Sequence, residues 1–517
     1  MKLALSSDMR RIDAAAARDW GLGTQVLMER VGEAVVRFLK RRAGAAKRVG
    51  FLCGKGNNGG DALAAARRLK RRRVPVTAFL AFPPAALGPD CARQYAKARA
   101  AGVPLVEAWG PEKAGTRRAL EACGLLVDGL FGTGLSRKVA GAPARLIAWM
   151  NASGKPVLAL DTPSGFSADR GVALGRAVRA RWTLTFGLMK PGFYLPGAPA
   201  FTGEVAVADL GLPGELLASS FLTQELTDAA MVEGLLPRYG EGVHKGTRGR
   251  VLVVAGSLGL TGAAALSAWG AQRIGAGLVT VACAEALNPI LAVKLTECMT
   301  APLPEGKRGY LTERSLGRLL QLAQGMDALV VGPGLGRHPA TGKLLAKLLP
   351  RLKAPVVLDA DALYHLAARP RVLAACPAPK ILTPHAGEAA RLLGVTASRV
   401  EAARLDIAKQ LAAGYNGVAL LKGPHTLIAR ADGALRINPT GDRGLATGGT
   451  GDVLSGILGG LLAQGLGPFD AAAVGAYLHG LAGQKAGQAL GPDGLMAGDL
   501  LPILPRLLKA ARQQDLE

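Results

Sequence analysis

Short, nearly all-apolar runs recur along this chain, separated by stretches suited to helices. In the first part the runs are RVGFLCG (48–54), VPVTAFLAF (74–82), GLLVDGLFG (124–132), PVLALDTPSG (156–165), WTLTFG (182–187) and EVAVADLGL (204–212). Near-continuous apolar strands that alternate with helices need both faces covered, and this predicts an α/β fold built on a parallel sheet. The pattern breaks in LPGELLASSFLTQE (212–225) and then restarts. The second series is RVLVVAGS (250–257), GLVTVAC (277–283), ALVVGPGLG (328–336), PVVLDADAL (355–363), KILTPHAGE (380–388) and VALLKG (418–423). A chain of 517 residues exceeds one ordinary core. Two α/β domains are expected, over 1–215 and 221–511.

Polar, glycine-rich motifs follow the runs, and in an open parallel sheet ligands bind beyond the carboxyl ends of the strands. In the first domain these motifs are GKGNNGGD (54–61), DGLFGTG (128–134), DTPSG (161–165) and FGLMKPG (186–192). All four should converge on one crevice. GKGNNGGD opens a helix, whose free N–H groups can hold a phosphate. Asn58, Asp128 and Ser164 would bring three oxygens together, the ligand type that hard cations prefer. Asp161 and Lys190 are candidates for acid–base work. Plainer readings are that Asp161 caps a helix and that Lys190 sits in solvent.

The second domain ends its series with NPTGDRGLATGGTGDVLSG (438–456), a glycine-dense loop running into an apolar helix. Gly441, Gly444, Gly448, Gly449, Gly451 and Gly456 let the backbone approach a ligand closely. The helix N-terminus adds free donors and a positive dipole end. A carboxylate here, Asp452, would repel a bound phosphate. It makes sense as a base that deprotonates a hydroxyl beside that phosphate. The plainer alternative is an ordinary N-cap. GPGLG (332–336), TPHAGE (383–388) and KGPHT (422–426) also follow strands. For His385 and Lys422 the plainer readings are a turn residue and a surface lysine.

The formal net charge of +25 invites a nucleic-acid reading. Much of it lies in two clusters, Lys40, Arg41, Arg42, Lys47, Arg48 and Arg67, Arg68, Lys70–Arg73. Both fall toward helix ends, where cations complement the dipole, and neither is interleaved with aromatics that could stack on bases. No nucleic-acid partner is expected. The six cysteines at 53, 91, 123, 283, 298 and 376 form no CxxC pair, which argues against a zinc site or a disulfide framework. The first residues lack the apolar core of a signal peptide, and no apolar run reaches about 18 residues. A cytoplasmic protein without membrane contact is expected.

GKGNNGGD, DGLFGTG, DTPSG and LMKPG resemble the YjeF-type NAD(P)H-hydrate epimerase domain, which has a Rossmann-like fold. The resemblance implies that Asn57, Asn58, Gly59, Gly60 and Asp61, with Gly132, Thr133, Gly134, Leu135, Ser136, Arg137 and Lys138, bind the hydrated dinucleotide. It implies potassium at Asn58, Asp128 and Ser164, and contact of Asp161 with the reacting nicotinamide. Ala62 and Thr162 depart from the family's pattern without removing a ligand.

The ordered set HKGTRGRVLVVAGS, GPGLG, LDADAL, LTPHAGE, LLKG and GDRGLATGGTGDVLSG resembles the ribokinase-like ADP-dependent NAD(P)H-hydrate dehydratases. By that resemblance Lys422, Gly423, Pro424, His425 and Thr426, with Asp442, Arg443, Gly444, Leu445, Ala446, Thr447, Gly448, Gly449, Thr450 and Gly451, bind the adenine nucleotide. Ala264, Gly334, His385 and Asp452 would contact the hydrate. Magnesium would accompany ADP or ATP, and a homo-oligomer is expected. The expected function is epimerisation of hydrated NAD(P)H and its dehydration at the expense of ADP or ATP. The closest alternative is a small-molecule kinase of the same fold.

Overall fold

The computed structural model describes residues 1–42, 48–110, 114–240, 242–306 and 309–516, so Lys47 of the first basic cluster lies outside the described residues. The chain forms two compact units, Lys2–Gln224 and Glu225–Glu517.

In the first unit seven parallel strands run across the sheet in the order Glu204–Ala208, Trp182–Phe186, Val157–Leu160, Leu125–Gly129, Val49–Cys53, Val76–Leu80, Leu105–Glu107. Successive side chains on a strand point to opposite faces. Accordingly Val49, Phe51, Leu125, Val127, Leu158 and Leu160 pack into one buried cluster, and Leu52, Leu126, Val157 and Ala159 into another. Both faces are covered, as apolar strands without polar alternation demand. The chain-order reversal falls between Val49–Cys53 and Leu125–Gly129, which are parallel neighbours.

The second unit repeats this order. Nine strands of its sheet lie in the order Leu435–Ile437, Leu427–Arg430, Val418–Leu421, Lys380–Leu382, Val356–Leu358, Ala328–Val331, Arg250–Val254, Leu278–Ala284, Met299–Leu303. The two strands after Val418–Leu421 are antiparallel; the others pair in parallel. The reversal lies between Arg250–Val254 and Ala328–Val331.

The arginines of the second basic cluster are tied down. Arg67 and Arg68 bond Glu29, and Arg68 and Arg72 bond Glu33 at 2.9 Å, which clasps the helix Thr24–Arg42 to Asn57–Arg71. Burial alone would raise the Glu29 carboxyl, but Arg67, Gln94 and Arg68 together hold it down to about 2. All six cysteines are buried and unpaired. Burial pushes every one of their thiols upward, Cys91 to about 12 and Cys283 and Cys298 to about 11. Among the described residues no helix is long and apolar enough to cross a membrane.

Candidate functional site

In the first unit the loops after Cys53 and Gly129 meet at the reversal, where a crevice must open. Their backbones touch: Gly54 N–H donates to Gly129 O at 3.0 Å, and a Cβ on Gly54 would fall 1.8 Å from Leu130 O. Only glycine permits that approach. A cavity of about 640 Å³ results. Its lining includes Asn57, Asn58, Asp61, Gly132, Thr133, Gly134, Leu135, Ser136, Arg137 and Asp161. Gly59 and Gly60 are buried in the helix Asn57–Arg71, and Lys138 lies outside the cavity lining, beside Gly175.

Asp161 adopts φ +62, a left-handed backbone uncommon for a residue with a side chain. It caps no helix. Its Oδ1 accepts from Lys190 Nζ at 2.9 Å and its Oδ2 from Thr133 N–H at 3.2 Å. Lys190 is fully buried rather than solvated, and it also donates to Thr185 Oγ1 at 2.6 Å and Phe186 O at 2.9 Å. Burial alone would raise the Asp161 carboxyl, but the Lys190 charge and the hydrogen bonds hold it below the usual carboxylate range. Lys190 does not line the cavity; its Nζ meets the cavity-lining Asp161 from behind.

Ser164 Oγ donates to Asp128 Oδ1 at 2.6 Å, and Ser164 N–H donates to Asp128 Oδ2 at 2.8 Å. Asp128 is wholly buried, and this lifts its carboxyl to about 6 despite these bonds. Asn58 donates through Nδ2 to Leu160 O at 3.2 Å, while its Oδ1 is buried without a partner. An orphaned amide oxygen, a buried carboxylate and a hydroxyl form an oxygen-rich donor set that fits a hard cation.

Of the charged residues lining the cavity, Arg10 and Asp13 fall in no motif of the sequence, and Lys55 falls within GKGNNGGD without a role of its own. Asp13 sits on the helix Ser6–Trp20 beside the buried stripe Met9, Ile12 and Ala16. A charge bordering an apolar helical stripe was the available signal.

In the second unit, Asp359 is the hub. It is buried directly after the strand Val356–Leu358 and accepts from Thr383 Oγ1 at 2.7 Å, Ser455 Oγ at 2.7 Å and Lys422 Nζ at 2.9 Å. Lys422 is therefore no surface lysine. It lies 3.9 Å from Glu388, and its Nζ would meet a Cβ placed on Gly451 at 3.6 Å. Sequence reading quoted Asp359 within LDADAL but gave it no role.

Asp452 stands in the first turn of the helix Thr450–Ala463, whose N-cap is Gly449, so the plain capping role does not apply. Burial and the neighbouring Asp359 and Asp361 raise its carboxyl to about 7, against the pull of Lys422. The helix is seated by a second glycine contact: a Cβ on Gly456 would lie 1.9 Å from Ser267 O in the helix Thr261–Arg273.

Ala264 lies near the start of the helix Thr261–Arg273, and the loop before that helix pairs with the one carrying Gly334: Gly256 N–H donates to Pro333 O at 2.9 Å, and a Cβ on Gly334 would touch Leu260 and Ala263. His385 caps the helix Ala386–Leu393 through Nδ1, and its own N–H donates to Glu388 at 2.9 Å. In the segments expected to bind the nucleotide, His425 has φ +52, and Thr426 Oγ1 donates to Gly423 O at 3.1 Å. Asp442 caps the turn Arg443–Leu445, and Thr450 Oγ1 donates to Leu445 O at 2.8 Å. Gly448, Gly449 and Gly451 bring this backbone to the helix start that carries Asp452.

Two family models match the chain: YjeF-related protein N-terminus over residues 24–192 and NAD(P)H-hydrate dehydratase over 251–506. The bifunctional NAD(P)H-hydrate repair enzyme of Moorella thermoacetica is 43% identical over 99% of this chain and 98% of its own length. The Escherichia coli counterpart is 36% identical over 97% of this chain and 93% of its own length. Among solved structures, the ADP/ATP-dependent NAD(P)H-hydrate dehydratase of Bacillus subtilis, co-crystallised with ATP and Mg2+, is 32% identical with a TM-score of 0.49. It covers 56% of this chain and 98% of its own. A ribokinase-like superfamily protein of Enterococcus faecalis shares the fold at 24% identity and a TM-score of 0.50, over 57% of this chain and 99% of its own.

Proposed function

The chain belongs to the bifunctional NAD(P)H-hydrate repair enzymes, and from that membership we propose which residues carry each reaction. The protein is an NAD(P)H-hydrate epimerase and an NAD(P)H-hydrate dehydratase. Epimerisation is assigned to the first unit and dehydration to the second.

The hydrate carries a hydroxyl at C6 of its nicotinamide ring, and hydroxide is a poor leaving group. In the second unit Asp452 takes the hydroxyl proton, and the oxygen attacks the terminal phosphoryl of ADP or ATP. The first-turn amides of Thr450–Ala463 and the Lys422 ammonium stabilise the charge that develops. Phosphate then departs from C6, pushed by the ring nitrogen lone pair, and loss of a C5 proton restores NAD(P)H. With ADP the other product is AMP. The observation that carries this reading is Asp452 itself, a carboxyl poised at about 7 in a helix first turn near the half-buried Lys422. Magnesium carried on the nucleotide phosphates would supply charge neutralisation there.

In the first unit Asp161 contacts the reacting nicotinamide, held ionised by Lys190, while Asn57–Asp61 and Gly132–Lys138 hold the dinucleotide. Asn58, Asp128 and Ser164 would hold potassium, which would supply a fixed positive charge; the orphaned Asn58 Oδ1 supports this assignment. A homo-oligomer is part of the proposal, supported by exposed Ile290, Val293 and Met299 near the edge strand Met299–Leu303. A cytoplasmic location is supported by six unpaired thiols.

The test follows recovery of reduced-nicotinamide absorbance from a mixture of both epimers of hydrated NADH, with ADP or ATP, magnesium and potassium. Wild type should recover completely, Asp452→Ala not at all, and Asp161→Ala only through a partial fast phase. No recovery with either nucleotide would point to a kinase reaction instead.

A further inference from the structure

The cavity of the first unit holds a carboxylate that no step above uses. Asp13 reaches the cavity from the helix Ser6–Trp20, whereas Asp161 reaches it from the end of the strand Val157–Leu160. The Asp13 side chain borders the cavity and makes no hydrogen bond or ion pair with any other described residue. Asp61 enters from the helix Asn57–Arg71, and Arg10, Lys55 and Arg137 are the cations lining the same space.

We propose that Asp13 is the second proton-transfer group of the epimerase, acting on the C6 oxygen from one element while Asp161 acts from the other. This inference rests on the assignment of epimerisation to the first unit. Inverting C6 requires its C–O bond to break and reform on the opposite face of the ring. The acid form of one carboxyl gives its proton to the C6 hydroxyl. The C6–O bond breaks with both electrons going to oxygen, which leaves as water, while the N1 lone pair forms a C6=N1 bond. Water then adds to C6 from the other face, the π electrons return to N1, and the water's proton passes to the second carboxylate. One proton enters and one leaves, and no other reactant is consumed. A single carboxylate would serve one face only; two on different elements serve both.

The electrostatics match this division of labour. Lys190 keeps Asp161 ionised. Burial, and then the negative Asp161, raise Asp13 to about 6, with Lys190 opposing. Burial, and then Asp161 and Asp13, also push the Asp61 carboxyl well above the usual carboxylate range. Asp13 is thus the carboxyl that exchanges protons near neutral pH.

The test uses full-length Asp13→Asn, Asp13→Glu and Asp161→Ala with hydrated NADH enriched in the epimer that is not dehydrated. Excess full-length Asp161→Ala, with its dehydratase intact, reads out the product. Asp13→Asn should lower the kcat of epimerisation on the order of 100-fold, the usual scale for losing a general acid–base group, with KM moved less than about threefold. It should also lose the limb near pH 6 in the rate profile, and Asp13→Glu should restore about a tenth or more of the rate. Dehydration of the pure reactive epimer by Asp13→Asn should be unchanged. Epimerisation at the wild-type rate, an intact limb, or an effect confined to KM overturns the proposal. If Asp161→Ala also epimerises normally, the assignment of the site is what fails. If Asp13→Asn lacks a cooperative melt, Asp13→Glu decides: a displaced limb supports the role and an unmoved one overturns it.

Discussion

Asp452 acquires its chemistry from its neighbours. A base must be ionised to act, so with a carboxyl at about 7 the dehydration rate should rise with pH through 7 and level off above it. Asp359 contributes to that elevation, and Asp359→Asn should move the limb to lower pH. The same substitution loosens Lys422, so kcat should fall on the order of 10- to 100-fold as the ammonium leaves its station. An unmoved limb in the pH–rate profile of Asp359→Asn would remove Asp359 from this account. The elevation also has a cost in stability. The folded carboxyl binds its proton up to about 7 and the unfolded one only to its ordinary value near 4, so this group's contribution to stability declines as pH rises between those values. Asp452→Asn should therefore be inactive yet melt no lower than wild type at pH 8. Asp161 was legible because it sits in a polar motif directly after an apolar run, and Asp452 because a glycine-dense loop leads into an apolar helix at that residue. Asp13 and Asp359 were not, because neither is marked by a motif of its own chemistry. Asp13 looks like one more charge on a helix, and Asp359 looks like the end of a strand until Lys422, Thr383 and Ser455 converge on it.

The element that sets the second site is the helix Thr450–Ala463, pressed against Thr261–Arg273 where Gly456 meets Ser267. Gly456→Ala would drive a methyl into a backbone carbonyl. The helices must part, at about 1–3 kcal/mol for overpacking, and Asp452 would shift with its helix. Thermal melting should drop by several degrees, and kcat for dehydration should fall while epimerisation holds. Equal loss of both activities would contradict this. Periodicity located the central strands closely, but it missed Leu105–Glu107, Met299–Leu303 and the antiparallel pair Leu427–Arg430 and Leu435–Ile437. The first two are edge strands with partly exposed residues, which lack the unbroken apolar run that marks a strand buried on both faces. The antiparallel pair follows KGPHT, where the reading stopped at the motif.

At the scale of the molecule, both units share the same strand order with one reversal, yet their loops carry different residues, so the architecture is common and the loops supply the chemistry. The hydrate passes from one unit to the other as a free small molecule in this account. Mixing full-length Asp452→Ala with full-length Asp161→Ala should therefore restore complete recovery from an epimer mixture. The mixture should lag behind wild type at low protein concentration, where the shared chain no longer keeps the two activities together. Failure at any concentration would mean that the two reactions must occur within one chain. The cysteines carry a different consequence. Three lie in each unit, each sealed inside and held in its thiol form. Thiolate is the species that alkylating agents and peroxides attack. A catalyst that restores damaged electron carriers thus keeps its own sulfur out of oxidative chemistry. Iodoacetamide uptake by Cys53, Cys91 and Cys123, set against uptake by Cys283, Cys298 and Cys376, then becomes a built-in gauge of which half has opened.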